Sequence, residues 1–257
     1  MSAALQNKLF ISTRPKGQSD ELKRLFLEEG ASLLEMPLIE IQPIQPSEKE
    51  KNLLKKLDQF QWLIFTSPNG VRSFFSFLKE EEISIPGSSQ IAVIGQKTQK
   101  TVESFGYKVA FVNPGNTAED FVPAFMQKIK KNSVKPNILL ILGNLARTFI
   151  QDELSSVANC TRMDVYETVA PKDINEESLD LIRNNQYEML IFTSPSTIQN
   201  FMKLNMNVPV AYIRCACIGD ITANEAKKQG ITNLVVAEDA SAKGIVQSII
   251  QSYSKNF

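Results

Sequence analysis

The residues best suited by type and spacing to chemistry are hydroxyls. In Trp62-Leu63-Ile64-Phe65-Thr66-Ser67-Pro68-Asn69-Gly70-Val71, a Thr-Ser pair closes an apolar run and a proline follows, and the same Leu-Ile-Phe-Thr-Ser-Pro string returns at Leu190 to Pro195. Each apolar run (Leu63 to Phe65, Leu190 to Phe192) reads as a short buried strand. Ser67 and Ser194 then stand where N-caps are favoured, and Pro68 and Pro195 suit a first helical position, where proline loses no needed hydrogen bond. A strand-to-helix turn of this kind leaves N–H groups unpaired at the positive end of the helix dipole, a setting for an anion. Ser67 and Ser194 either cap their helices or also touch a ligand. Their repetition at two strand ends, where open α/β sheets bind ligands, favours contact.

A second motif repeats behind the first. Gln90 to Gly95 is an apolar run ending in glycine, with Thr98 opening a helix to Phe105 that Gly106 closes. Its counterpart is Cys215 to Gly219, with Asp220 or Thr222 as the cap of a helix closed by Gly230. The first string is offset by 194 − 67 = 127 residues, and the glycine motif by 219 − 95 = 124. A third pair of helix starts, Asn116-Thr117-Ala118-Glu119 and Ala240-Ser241-Ala242-Lys243, is offset by the same 124. More weakly, Asn137 to Leu154 resembles Lys8 to Leu22: an apolar strand, a loop arginine (Arg147, Arg14) and the string Asp-Glu-Leu.

These elements describe an internally duplicated α/β chain in which each helix crosses between neighbouring parallel strands. Two stretches of alternating apolar and polar residues, Met36 to Ile44 and Thr161 to Val169, hold matching places and read as exposed ribbons; the prolines of the first argue against a central strand. Periodicity leaves open whether each half folds separately or exchanges its first strand with the other.

Composition narrows the chemistry. The 257 residues include 28 basic and 28 acidic ones, so no global charge draws nucleic acid or an anionic membrane. There is no histidine, which removes histidine-based triads and metal sites. Cys160, Cys215 and Cys217 form no metal-ligand spacing and read as small buried residues in a reducing compartment. Cys215 and Cys217 are expected on opposite sides of their sheet. The polar start, MSAALQNKLF, does not read as a signal peptide, and no apolar run has the length of a membrane helix, so the expected location is the cytoplasm.

Taken in order, Ser12-Thr13-Arg14-Pro15, Phe65-Thr66-Ser67, Ile94-Gly95-Gln96-Lys97-Thr98, Val165-Tyr166-Glu167-Thr168, Phe192-Thr193-Ser194 and Ile218-Gly219-Asp220-Ile221-Thr222 resemble the uroporphyrinogen-III synthase family over nearly the whole chain. Each motif is a generic strand end; their order and duplication carry the likeness. The resemblance implies two flavodoxin-like parallel-sheet domains joined by a two-stranded β-ladder, with residues 1–36 and 172–257 in a discontinuous first domain and 37–171 in the second. It implies cyclisation of hydroxymethylbilane, a linear tetrapyrrole with eight carboxylates, to uroporphyrinogen III with inversion of ring D, in the cleft between the domains. No metal or organic cofactor is implied. The protein is expected to be a monomer in transient contact with the preceding enzyme, hydroxymethylbilane synthase.

Residue by residue, Tyr166 matches the family's ladder tyrosine, whose phenol can help the ring A hydroxyl to leave. Ser67, Thr98, Ser194 and Thr222 match hydroxyl positions that line the cleft; Arg14 can pair with a carboxylate, Gly95 and Gly219 either allow close backbone approach or make the turn, and Thr66 and Thr193 are further substrate-binding candidates. The chain departs from the family at Leu142, where many members carry arginine, and at Asp220, a negative charge where an anion should bind. The alternative reading is a non-catalytic tetrapyrrole-binding or regulatory module with the same fold; a generic two-domain small-ligand binder is a second.

Overall fold

The computed structural model describes residues 5–115, 117–129 and 134–254. The readings of the first four residues and of Asn116 as a helix opener lie outside these. In chain order the elements are β1 (Leu9–Ser12), α1 (Asp20–Glu28), β2 (Ser32–Glu35), β3 (Glu40–Pro43), α2 (Glu48–Leu54), β4 (Trp62–Phe65), α3 (Pro68–Glu80), β5 (Gln90–Val93) and α4 (Gln96–Ser104). There follow β6 (Phe111–Val112), α5 (Ala118–Ile129), β7 (Asn137–Gly143), α6 (Phe149–Leu154), β8 (Asn159–Val169), α7 (Glu176–Arg183), β9 (Met189–Phe192), α8 (Pro195–Met202), β10 (Arg214–Cys217), α9 (Asp220–Lys228), β11 (Asn233–Val236) and α10 (Ala242–Ser254). The chain forms two compact units, Met1–Glu40 with Val169–Phe257, and Ile41–Thr168.

In the first unit five strands lie in the order β11-β10-β9-β1-β2, all parallel. Renumbered within the unit this is 2-1-3-4-5 read from β2, the doubly wound flavodoxin order. Alternation along each strand sends Ile11, Leu190, Phe192, Cys215 and Cys217 to one face, under α7, α8 and α9, and Phe10, Ile191 and Ala216 to the other, under α1 and α10. The cysteines therefore share a face, contrary to expectation: side chains two residues apart on a strand point the same way.

The second unit holds the order β3-β8-β7-β4-β5-β6. Leu63, Phe65, Ile141, Met163 and Val165 pack beneath α3 and α4, while Trp62, Ile64, Leu140 and Leu142 pack beneath α5 and α6.

The two repeats exchange their first strands. β1, with β2 on its other edge, pairs with β9 of the second repeat (Ile11 opposite Leu190), and β7, with β8 on its other edge, pairs with β4 of the first (Ile64 opposite Leu140). The expectation that each crossover joins neighbouring strands fails at α5, which leaves edge strand β6 and delivers the chain to β7 on the far side of β4. That reversal creates a topological switch point between β4 and β7.

The first ribbon is shorter and less exposed than its alternation suggests. Met36, Leu38 and Ile39 are buried, because Pro37 interrupts the strand and the chain dips into the core before β3 begins. β3 lies beside β8 as a ladder would require, yet β8 also pairs along its length with β7, so the ladder continues a sheet.

Candidate active site

Within the second unit, the switch point gathers a phenol, a hydroxyl and two glycines. Residues 163 and 165 of β8 face the core under α3, so strict alternation would turn residue 166 away. A bulge prevents this: Leu142 pairs with Asp164 but Gly143 pairs with Tyr166, leaving Val165 unmatched on that side. Tyr166 consequently leans over the same core as Val165. Its ring crosses the end of β7 so closely that a Cβ on Gly143 would sit 2.7 Å from the phenol oxygen. Glycine is what lets the ring lie there.

The Tyr166 hydroxyl meets Ser67 Oγ at 3.1 Å. Ser67 is the N-cap of α3, in extended backbone, and its Oγ accepts from the Gly70 N–H at 3.1 Å. With one lone pair occupied by Gly70, Ser67 can turn its own proton toward the phenol oxygen. The phenol proton is then free to point at a ligand. Thr66 lies beside Ser67 and is half-buried.

The glycine motif is built differently from its sequence reading. α4 begins at Gln96 with Gly95 as N-cap, so Thr98 lies in the first turn, buried, and does not open the helix. Gly95 has φ 79° and ψ 151°, a region essentially reserved for glycine, and open space where a Cβ would project.

The first unit carries the remaining predicted residues at the ends of β1, β9 and β10. Arg14 is half-buried; loss of solvation lowers its pKa, and Glu21 acts in the opposite sense. Ser194 occupies the N-cap position of α8 but its hydroxyl does not cap: it bonds Ser196 Oγ at 2.9 Å, and Thr197 Oγ1 donates to the Ser194 carbonyl at 2.7 Å. Ser196 and Thr197 replace Asn69 and Gly70 of the other copy, so two new hydroxyls compete locally for the bonds. Thr193 is half-buried beside it. Gly219, not Asp220 or Thr222, is the N-cap of α9; Thr222 is buried in its first turn. Gly219 is extended, with open space at its Cα, and the neighbouring Ile221 is 71% exposed.

Registers correct one pairing made from sequence. Ser12 lies opposite Ile191 and Leu140 opposite Ile64, and both isoleucines hold the same place in the repeated string. Two residues on, Arg14 therefore matches Leu142, which is buried core, and Arg147 is instead a surface residue paired with Glu119 at 2.8 Å. Glu35, the partner of Ser12, is in the same way equivalent to Arg162, the partner of Leu140, and continuing from these two the buried stretch Leu38-Ile39 stands where Val165-Tyr166 stands. One unit keeps the phenol and the other keeps the arginine.

Gly143, Gly70 and Arg162 were not picked out from sequence. A glycine directly after an apolar strand was the available signal for the first. Among the described residues no helix is long and apolar enough to cross a membrane, and no group of three or more His, Cys, Asp or Glu is placed to hold a metal ion.

The family model for uroporphyrinogen-III synthase HemD matches residues 20–247. The chain belongs to the uroporphyrinogen-III synthase family. It is similar to a putative uroporphyrinogen-III synthase of Methanocaldococcus jannaschii, 30% identical over 232 residues that cover 88% of this chain and 91% of that one. It is also similar to the porphyrin biosynthesis protein HemD of Ruminiclostridium josui, 24% identical over 254 residues; there it covers 98% of this chain and spans half the length of the relative. Among solved structures, the uroporphyrinogen-III synthetase of Helicobacter pylori shares the fold with a TM-score of 0.66 at 18% identity, covering 95% of this chain and 99% of that one. The phenol at the switch point thus sits in a chain of this family by sequence and by fold.

Proposed function

We propose that the protein is a uroporphyrinogen-III synthase, a cyclising lyase that converts hydroxymethylbilane to uroporphyrinogen III with inversion of ring D. The observation that carries the catalytic reading is the Tyr166 phenol held over Gly143 and beside Ser67 at the end of β4 and β7.

In this reading Tyr166 donates its proton to the departing hydroxyl of ring A. The carbon–oxygen bond breaks, water leaves, and the electron-poor carbon left behind is attacked by ring D through its substituted carbon. The spiro intermediate rearranges, and the proton released on aromatisation restores the phenol, so the net change is loss of one water. Ser67, fixed by Gly70, orients the phenol. Arg14 supports carboxylate recognition because it is a cation that has already given up part of its solvation. Thr66, Thr193 and Ser194, with the helix starts at Gly95 and Gly219, supply N–H and hydroxyl groups for further carboxylates. The buried Thr98 and Thr222 brace those starts from within the first helical turn.

Hydroxymethylbilane closes unaided to the type I isomer, so the protein's work is to hold the geometry that favours type III. A short-lived substrate also favours direct transfer from hydroxymethylbilane synthase in the cytoplasm, to a monomer whose reaction is confined to one molecule. The deciding experiment generates hydroxymethylbilane in situ, adds the protein, oxidises the products and separates the porphyrin isomers. Predominantly type III product is expected; type I alone, with folded protein and a working control, overturns the reading in favour of a binding module.

A further inference from the structure

The strand that supports Tyr166 ends early. β7 stops at Gly143, and the chain turns into the loop of residues 144–148, while β8 runs on to Val169. In a parallel ladder the residue after Gly143 would take the Tyr166 carbonyl with its N–H and the Thr168 N–H with its own carbonyl. Asn144 makes the first bond with its backbone: its N–H donates to the Tyr166 carbonyl at 3.0 Å. Its carbonyl, however, has turned to Arg162, whose Nη2 donates to it at 3.4 Å. The side chain makes the missing bond. Asn144 Oδ1 accepts from the Thr168 N–H at 3.0 Å, standing in for the carbonyl that left the ladder.

The loop itself is pinned from the opposite face of β8. Arg162 Nη1 donates to the Ala146 carbonyl at 3.0 Å and Nη2 to the Gly143 carbonyl at 3.2 Å, while Nε donates to Asp164 Oδ1 at 2.8 Å. Arg162 therefore holds the backbone that carries Gly143 and Asn144, and Asn144 holds β8 on both sides of Glu167, the residue that follows Tyr166. Val165, skipped by the bulge, has lost its partner in β7; Tyr166 itself pairs with Gly143, the last residue of that strand, and the two Asn144 bonds carry the pairing beyond it.

We propose that Asn144 is a positioning residue for Tyr166: by replacing a backbone carbonyl with its side-chain carbonyl, it extends the ladder one rung past the bulge and fixes the phenol toward Ser67. This rests on the reading of Tyr166 as the acid that helps the hydroxyl leave.

The requirement is for an acceptor, not for size. Asn144→Asp keeps an oxygen where Thr168 needs one; Asn144→Ala and Asn144→Leu do not. Loss of one such bond corresponds to roughly a fivefold to tenfold effect where alignment governs rate. The test labels the protein with 3-fluorotyrosine, assigns the Tyr166 fluorine resonance by its loss in Tyr166→Phe, and measures turnover and isomer ratio in the same set. In Asn144→Ala the resonance is expected to move or broaden, turnover to fall about five- to tenfold with little change in KM, and the type I fraction to rise. Asn144→Asp is expected to restore all three. In the Tyr166→Phe background, Asn144→Ala should then have no further effect on turnover.

An unchanged fluorine resonance in Asn144→Ala, in protein with the wild-type melting profile, overturns the positioning role whatever the activity. A shifted resonance restored by Asn144→Asp supports it even if Tyr166→Phe keeps full turnover, a result that would sink the catalytic reading of the phenol alone. An additive turnover loss in the double variant overturns the claim that Asn144 acts through Tyr166.

Discussion

The hydroxyls of Tyr166 and Ser67 lie 3.1 Å apart although the residues are 99 positions apart in the chain. One comes from the strand that the second repeat lends to this sheet and the other from the first copy of the repeated string. Removing the phenol with Tyr166→Phe should lower turnover by about 100-fold, the lower range for a general acid, and raise the share of type I product. Isomer-resolved kinetics check both.

Ser67 and Ser194 look equivalent in sequence and are not equivalent in the fold. Ser67→Ala removes a working cap and is expected to cost ~1 kcal/mol of stability, whereas Ser194→Ala, which removes no cap bond, should cost clearly less. Urea titration of the two variants makes the comparison. Equal losses would sink the distinction.

Gly143→Ala places a methyl where the Tyr166 ring lies. The ring must rotate out, so turnover should fall at least as far as in Tyr166→Phe, with an overpacking cost of about 1–3 kcal/mol. The same steady-state assay and a thermal melt report the two effects separately.

The paired glycines at the helix starts should also part company. Gly95→Ala forces alanine into a glycine-only backbone region and is expected to cost of order 1–3 kcal/mol. Gly219 is extended and meets nothing at its Cα, so Gly219→Ala should leave stability nearly unchanged. Any loss of substrate affinity in Gly219→Ala would then report on ligand contact, which equilibrium binding of product would measure.

Burial raises the Cys160 thiol from 9.0 to about 11. Between those values the unfolded chain has released its proton and the folded one retains it, so the folded state binds more protons and stability falls as pH rises from about 9 to about 11. Tyr187 and Tyr253, both shifted upward chiefly by burial, act in the same sense at higher pH. In Cys160→Ala the decline over this window should be shallower, as chemical denaturation at a series of pH values will show.

The legible parts of this molecule were those set by local pattern. The strand-proline-helix unit, the glycine stops with positive φ at Gly30, Gly106 and Gly230, and the duplication all follow from residues close in sequence. What stayed hidden depended on long-range pairing. Nothing local distinguishes β7 beside β4 from β7 beside β9, and so Arg147, in a loop much like that of Arg14, looks like its counterpart although register assigns that place to Leu142. The Tyr166 bulge is likewise invisible in an alternating string, because the skipped residue shows itself only opposite Gly143. Leu38 and Ile39 read as ribbon for the same reason: burial there is decided by Pro37 and the sheet it ends, not by alternation.

Strand exchange between the repeats also sets a timetable for synthesis. Ile64 finds Leu140 only 76 residues later, but Ile11 must wait for Leu190, 179 residues on. At usual elongation rates that is roughly ten to thirty-five seconds during which β1 and β2 have left the ribosome without the strand that completes their sheet. The stretch from Ile41 to Thr168 is by then fully made, so the nascent chain carries its amino-terminal β-α-β unit as an unfinished edge until β9 emerges.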